Sequence, residues 1–144
     1  MQTAVPPGGV DPSALHSFAA LAGVASAQEV VDVYLASATD RLAAIHDGLG
    51  ADSPTAVRHA AHSLTSAAGA VGATRVATLT AALEMASIGG WSTPPVETVA
   101  ALTAAVAESR ERLAAVLAEL AALDTGVDPL DAMDEADAEG DWFS

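Results

Sequence analysis

The side chains most able to do chemistry in this chain are its four histidines, and one of them, His62, stands in a distinctive setting. There is no cysteine, which removes thiol nucleophiles, disulfides and cysteine-based zinc sites from consideration. A neutral imidazole near pH 7 is a competent nucleophile and forms a labile phosphoramidate that can give its phosphoryl group away again. If the segment around it is helical, His62, Thr65, Ser66 and Gly69 fall at i, i+3, i+4 and i+7 on one face. Ala60, Leu64, Ala67 and Val71 then form a separate apolar stripe, so the histidine points away from the core. Its neighbours on the C-terminal side are small, leaving the ring open to close approach by another surface. Gly69 costs a helix about 0.5–1 kcal/mol relative to Ala, and close approach of another backbone is one reason to keep it.

The other candidates carry less. His59 and His62 are spaced i, i+3 and could share a metal, but no third ligand of suitable type sits nearby in sequence, so no metal is assigned. His16 and His46 have no supporting pattern. Arg110 and Arg112, among Glu108 and Glu111, read as surface pairs. The glycine-rich stretches follow no strand and so are not nucleotide loops, and no Ser-His-Asp arrangement can be argued from spacing.

The elements that must position His62 are helices. Apolar residues recur at steps of three and four, alanine is abundant and aromatics make up only 3% of 144 residues, which suits close packing through small side chains. Asp11-Pro12 signals the start of a short helix through Leu15, Phe18 and Leu21. Ser26 and Glu29 have capping-box spacing and open a long helix in which Val31, Leu35, Ala38, Leu42, Ile45 and Leu49 recur at steps of three and four, ending near Gly48 or Gly50. Ser53-Pro54 opens the helix that carries His62, with a stop at Gly72. Thr74 is read as the cap of a third, which Gly89-Gly90 closes, and Thr93-Pro94 opens a final long helix with Val99, Leu102, Val106, Leu113, Leu117 and Leu120 as its stripe. The expected fold is all-α: an up-down four-helix bundle over residues 11–123 with an extra short N-terminal helix. Residues 1–10 read as a flexible lead-in and 124–144 as a disordered acidic tail.

Charge narrows the partners. The formal net charge is −14, and residues from Asp124 onward supply −8 of it through Asp124, Asp128, Asp131, Asp134, Glu135, Asp137, Glu139 and Asp141, with no Lys or Arg. Such a field repels phosphate backbones and anionic lipid, so neither nucleic acid nor membrane is expected as a partner. The first ten residues lack a basic n-region and an apolar h-region, and apolar runs break well short of the roughly 18 residues a span requires, which points to a cytoplasmic chain. The acidic tail reads as a solubilising segment, and its closing Trp142-Phe143, unusual in so aromatic-poor a sequence, gives it a second reading as a docking peptide.

The run His62-Ser-Leu64-Thr65-Ser66-Ala-Ala-Gly69-Ala-Val-Gly72-Ala73, with Leu83-Glu84 in the following helix, resembles the histidine phosphotransfer (HPt) domain family. The resemblance spans roughly residues 11–122. It implies that His62 accepts a phosphoryl group, that Arg58, His59, Thr65, Ser66 and Gly69 neighbour the phosphoryl group or the docking surface, and that receiver domains or a histidine kinase are the partners. A receiver domain would bring the aspartate, lysine and Mg²⁺ that complete the transfer, so the chain would be a carrier with no cofactor of its own and not an enzyme, and a monomer is expected. Two positions depart from the family pattern. Thr65 stands where the family commonly has Lys, and Ser66 where it commonly has Gly; a threonine hydroxyl offers only a hydrogen bond where an ammonium offers charge. Arg58, four residues before His62, could replace part of that charge or be a solvated helix charge. The alternative reading is an HPt-like adaptor that binds receiver or kinase domains without transfer.

Overall fold

The computed structural model describes residues 6–124. Five α-helices follow a short 3-10 turn, Pro7–Gly9: α1 Ser13–Ala22, α2 Val24–Gly50, α3 Pro54–Val71, α4 Thr74–Ala86 and α5 Val96–Asp124. Helices α2, α3, α4 and α5 pack as a ring in which α2 meets α3, α3 meets α4, α4 meets α5 and α5 returns to α2, while the diagonal pairs stay apart. This is the up-down four-helix bundle that short connections impose. The short α1 packs across α2, α5 and α3.

The inward stripes follow the 3.6-residue period. Val31, Tyr34, Ala38 and Ile45 of α2 meet Val57, Ala60, Leu64 and Val71 of α3, and Val76 and Leu83 of α4 meet Val99, Leu102, Leu113 and Leu117 of α5 in one core. Each large aliphatic side chain taken fully from water contributes roughly 1.5–3 kcal/mol. A buried polar pair is bonded between α2 and α5. Ser109 donates to the Val106 carbonyl at 2.7 Å and Tyr34 donates its hydroxyl to Ser109 at 2.8 Å, joining α2 to α5. Burial raises the Tyr34 phenol above its ordinary value of 10.0, partly offset by the bond to Ser109.

Several helix starts differ from the sequence reading. Gly23, at φ 96°, turns the chain sharply enough that α2 begins at Val24, placing Ser26 and Glu29 inside the helix and not at its cap. Ser53 accepts from the Ala56 N–H and caps α3 as its spacing suggests. Ala73, not Thr74, caps α4, and the Thr74 hydroxyl instead donates to the Gly9 carbonyl at 3.2 Å. At α5 the Pro95 carbonyl accepts the first intrahelical bond, from Val99. Asp11 accepts from both the backbone N–H and the hydroxyl of Ser13, which holds its carboxyl below the ordinary value. Residues 7–10, read from composition as a loose lead-in, pack down on α5 and α4: Val10 is fully buried and Asp11 N–H bonds to the Gly72 carbonyl at 2.8 Å. The buried Val10 and the hydrogen bonds at Gly9 and Asp11 dock a segment rich in proline and glycine. The acidic tail lies outside the described residues.

Candidate functional site

His62 sits on the third turn of α3, a helix fixed at both ends. Ser53 and Pro54 start it, and Gly72, at φ 79° in the left-handed region, stops it with its N–H returned to the Ala68 and Gly69 carbonyls. With Ala60, Ala61, Leu64 and Ala68 buried, rotation is set and His62 faces outward at 70% exposure. Across the α3–α4 seam, Leu83 is fully buried and its neighbour Glu84 therefore lies at the rim, 25% exposed. Its Oε2 is 2.8 Å from His62 Nδ1.

That contact decides the ring's chemistry. An ionised carboxylate can only accept, so Nδ1 carries the hydrogen and donates it, leaving the lone pair on Nε2. Nε2 is thus the ring nitrogen whose lone pair is left free to act as a nucleophile. A negative charge beside Nδ1–H also stabilises positive charge developing on the ring when Nε2 bonds an electrophile.

The remaining sequence candidates are distributed around this pair. Ser66 and Gly69 are exposed on the same face of α3, and a Cβ placed at Gly69 would meet nothing within 4 Å. The protein itself therefore gives no packing reason for glycine there. His59 is exposed one turn before His62, and Arg58 is half-buried and forms no ion pair or hydrogen bond among the described residues. Thr65 does not present its hydroxyl to the ring's surroundings. It turns into the seam, where its one hydroxyl hydrogen is shared between the Ala61 carbonyl at 2.9 Å and Thr80 Oγ1 at 2.7 Å. His46 bonds Thr103 between α2 and α5, and His16 is exposed on α1. No group of three His, Cys, Asp or Glu side chains able to hold a metal forms among the described residues.

Sequence reasoning gave Glu84 no role and did not single out Thr80. Glu84 was visible only as half of a Leu-Glu pair, and what joins it to His62 is the antiparallel register of two helices, which no spacing within one helix expresses.

The Hpt domain family matches residues 29–126. The chain belongs to the Hpt domain family. The fold agrees: the crystal structure of histidine-containing phosphotransfer protein B (HptB) from Pseudomonas aeruginosa PAO1 superposes with a TM-score of 0.72 at 21% sequence identity, covering 81% of this chain and 98% of that one. No curated protein sequence matches. Hpt domains are the histidine phosphotransfer modules of two-component phosphorelays, carriers that work with receiver domains and kinases and not enzymes in their own right. This Hpt domain has no helix among its described residues long and apolar enough to cross a membrane.

Proposed function

We propose that His62 is the phosphoacceptor, taking a phosphoryl group on Nε2 from a receiver aspartyl phosphate or a kinase and passing it to another receiver. The observation that carries this is the His62–Glu84 contact at 2.8 Å on an otherwise open helix face. In the forward step the Nε2 lone pair forms the N–P bond as the acyl phosphate's O–P bond breaks, and the aspartate leaves as carboxylate. The ring's positive charge is balanced by Glu84 through Nδ1–H. In the reverse step the electrons of the N–P bond return to Nε2. In-line positioning and neutralisation of the phosphoryl oxygens fall to the partner, with Arg58 the nearest cation along α3 on this side. Ser66 and Gly69 form the floor on which the partner's rim rests, and His59 lies at its edge.

The test is incubation with a phosphorylated receiver. Acid-labile, base-stable phosphate on the parent, retained by His59→Gln and lost in His62→Gln with unchanged helix content, is the expected result. Transfer to His59 would move the site by one turn, and binding of the receiver with no phosphate on either residue would leave the adaptor reading.

A further inference from the structure

Between α3 and α4 runs a second polar contact that the transfer chemistry does not use. Thr80 is fully buried, and its hydroxyl donates to the Val76 carbonyl at 2.9 Å, so its lone pair is free to accept from Thr65 at 2.7 Å. The result is a directional chain, Thr65 to Thr80 to the Val76 carbonyl, crossing the same seam that the His62–Glu84 contact crosses. The two crossings are adjacent. Thr65 lies three residues after His62, about 4.5 Å along α3, and Thr80 lies four residues before Glu84, about 6 Å along α4, in the same direction because the helices are antiparallel.

We infer that Thr65 and Thr80 are a positioning pair, holding α3 and α4 in the register that keeps Glu84 on His62 Nδ1 and Nε2 free to react. The seam otherwise consists of apolar contacts, among them Ala61, Leu64 and Leu83, which tolerate small slips because dispersion is non-directional. A hydroxyl–hydroxyl bond is not so tolerant: its strength falls steeply with distance and angle, and a slide of one helix along the other that would cost the packing little would break it. The His62–Glu84 contact cannot supply that restraint, since both ends are long or mobile side chains at the rim and His62 is 70% exposed. The restraint has to come from the buried side, and Thr80 is the buried polar residue of α4 on that seam. Neither residue touches the ring, so both act through the register and not on the phosphoryl group.

This inference rests on His62 being the reacting residue, yet its first readout does not need any phosphate. Thr65→Val and Thr80→Val are close in shape to threonine and leave no orphaned donor: without Thr80 the Thr65 hydroxyl keeps the Ala61 carbonyl, and without Thr65 the Thr80 hydroxyl keeps Val76. Nitrogen-15 chemical shifts of the His62 ring in the full chain report how much Nδ1–H tautomer is present, and phosphorylation by phosphoramidate, a small donor that needs no docking, reports the reactivity of Nε2. Each valine variant is expected to lower the ratio of Nδ1–H to Nε2–H tautomer about threefold and to slow acceptance from phosphoramidate by a similar factor, while Thr80→Ser keeps both at the parent's values. Folded valine variants with the parent's tautomer ratio and acceptance rate would overturn the inference. If Thr80→Val does not fold, Thr65→Val decides the matter, because it leaves the buried Thr80 bonded. A parent that takes no phosphate would refute the assignment of His62 as acceptor and leave the tautomer comparison to judge the positioning pair by itself.

Discussion

Gly69 offers a substitution in which stability and function should move in opposite directions. It lies in the last turn of α3, exposed, with nothing within 4 Å of the position a Cβ would take. Replacing it by Ala or Gln therefore causes no clash and recovers the backbone entropy that glycine forfeits, about 0.5–1 kcal/mol in a helix. For a domain of this size that corresponds to a rise in melting temperature of roughly 2–6 °C. A partner resting on this face is the reason for that glycine which the substitution tests. Gly69 is seven residues from His62 on the same face, about 10 Å along the axis, within the footprint of any partner that reaches the imidazole. A glutamine there projects into that footprint. Gly69→Gln is expected to melt higher than the parent, to accept phosphate from phosphoramidate at the parent's rate, and to accept it from a phosphorylated receiver at least tenfold more slowly, since misplacement of the reacting groups by about 1 Å can cost a hundredfold. Differential scanning calorimetry and transfer kinetics followed on phosphate-affinity gels give the three numbers. Receiver transfer as fast as the parent's would show that this face is not the docking surface; a lower melting temperature would show that the glycine serves the fold.

Further expectations follow from single contacts. Glu84→Gln should keep the fold, since the residue is at the rim, but slow acceptance on His62 severalfold because the charge balancing the ring is lost, as read by phosphoramidate kinetics. Tyr34→Phe removes the bond to Ser109 while Ser109 keeps Val106, and should cost about 0.5–1.5 kcal/mol by urea denaturation. Because the native phenol is raised above its ordinary value, its contribution is present below about pH 10 and lost as pH rises through the higher native value. Phenolate absorbance of this single tyrosine should therefore appear late and together with alkaline unfolding; a midpoint near the free value in a folded chain would refute the buried environment. Gly72→Ala should destabilise by more than about 1 kcal/mol, since φ is 79° and the new Cβ would press on the Asp11 carbonyl oxygen; an unchanged melting curve would contradict that close approach.

What could be read from the sequence was whatever one helix expresses by itself. The stripe through Ala60, Leu64 and Val71 fixed the outward direction of His62, and Ser53-Pro54 and Gly72 marked the ends of its helix because caps act within a few residues. Contacts between helices were illegible. Thr65 looked like a surface hydroxyl, and only the presence of Thr80 opposite turns it inward; Thr74 looked like a cap, and only the presence of Gly9 gives its hydroxyl another partner. Glu84 belongs to the same class, a charge whose meaning depends on which residue of a neighbouring helix it faces. The start of α2 was misplaced for a different reason: Ser26 and Glu29 satisfy a capping pattern, but Gly23 already redirects the chain and lets the helix begin a turn earlier.

The docked N-terminal segment also bears on how the chain folds. The pairs α2–α3 and α3–α4 are neighbours in sequence and can assemble early, since short connections cost little loop entropy. Pro7–Gly9 instead finds its contacts on α5 and α4, so its surface does not exist until the bundle has closed. Its docking is therefore expected to follow closure of the bundle. Hydrogen exchange at the Asp11 amide, bonded to Gly72, is thereby a gauge of local opening at the C-terminal end of α3, separable from global unfolding, and one that senses the helix carrying His62 just beyond Gly69.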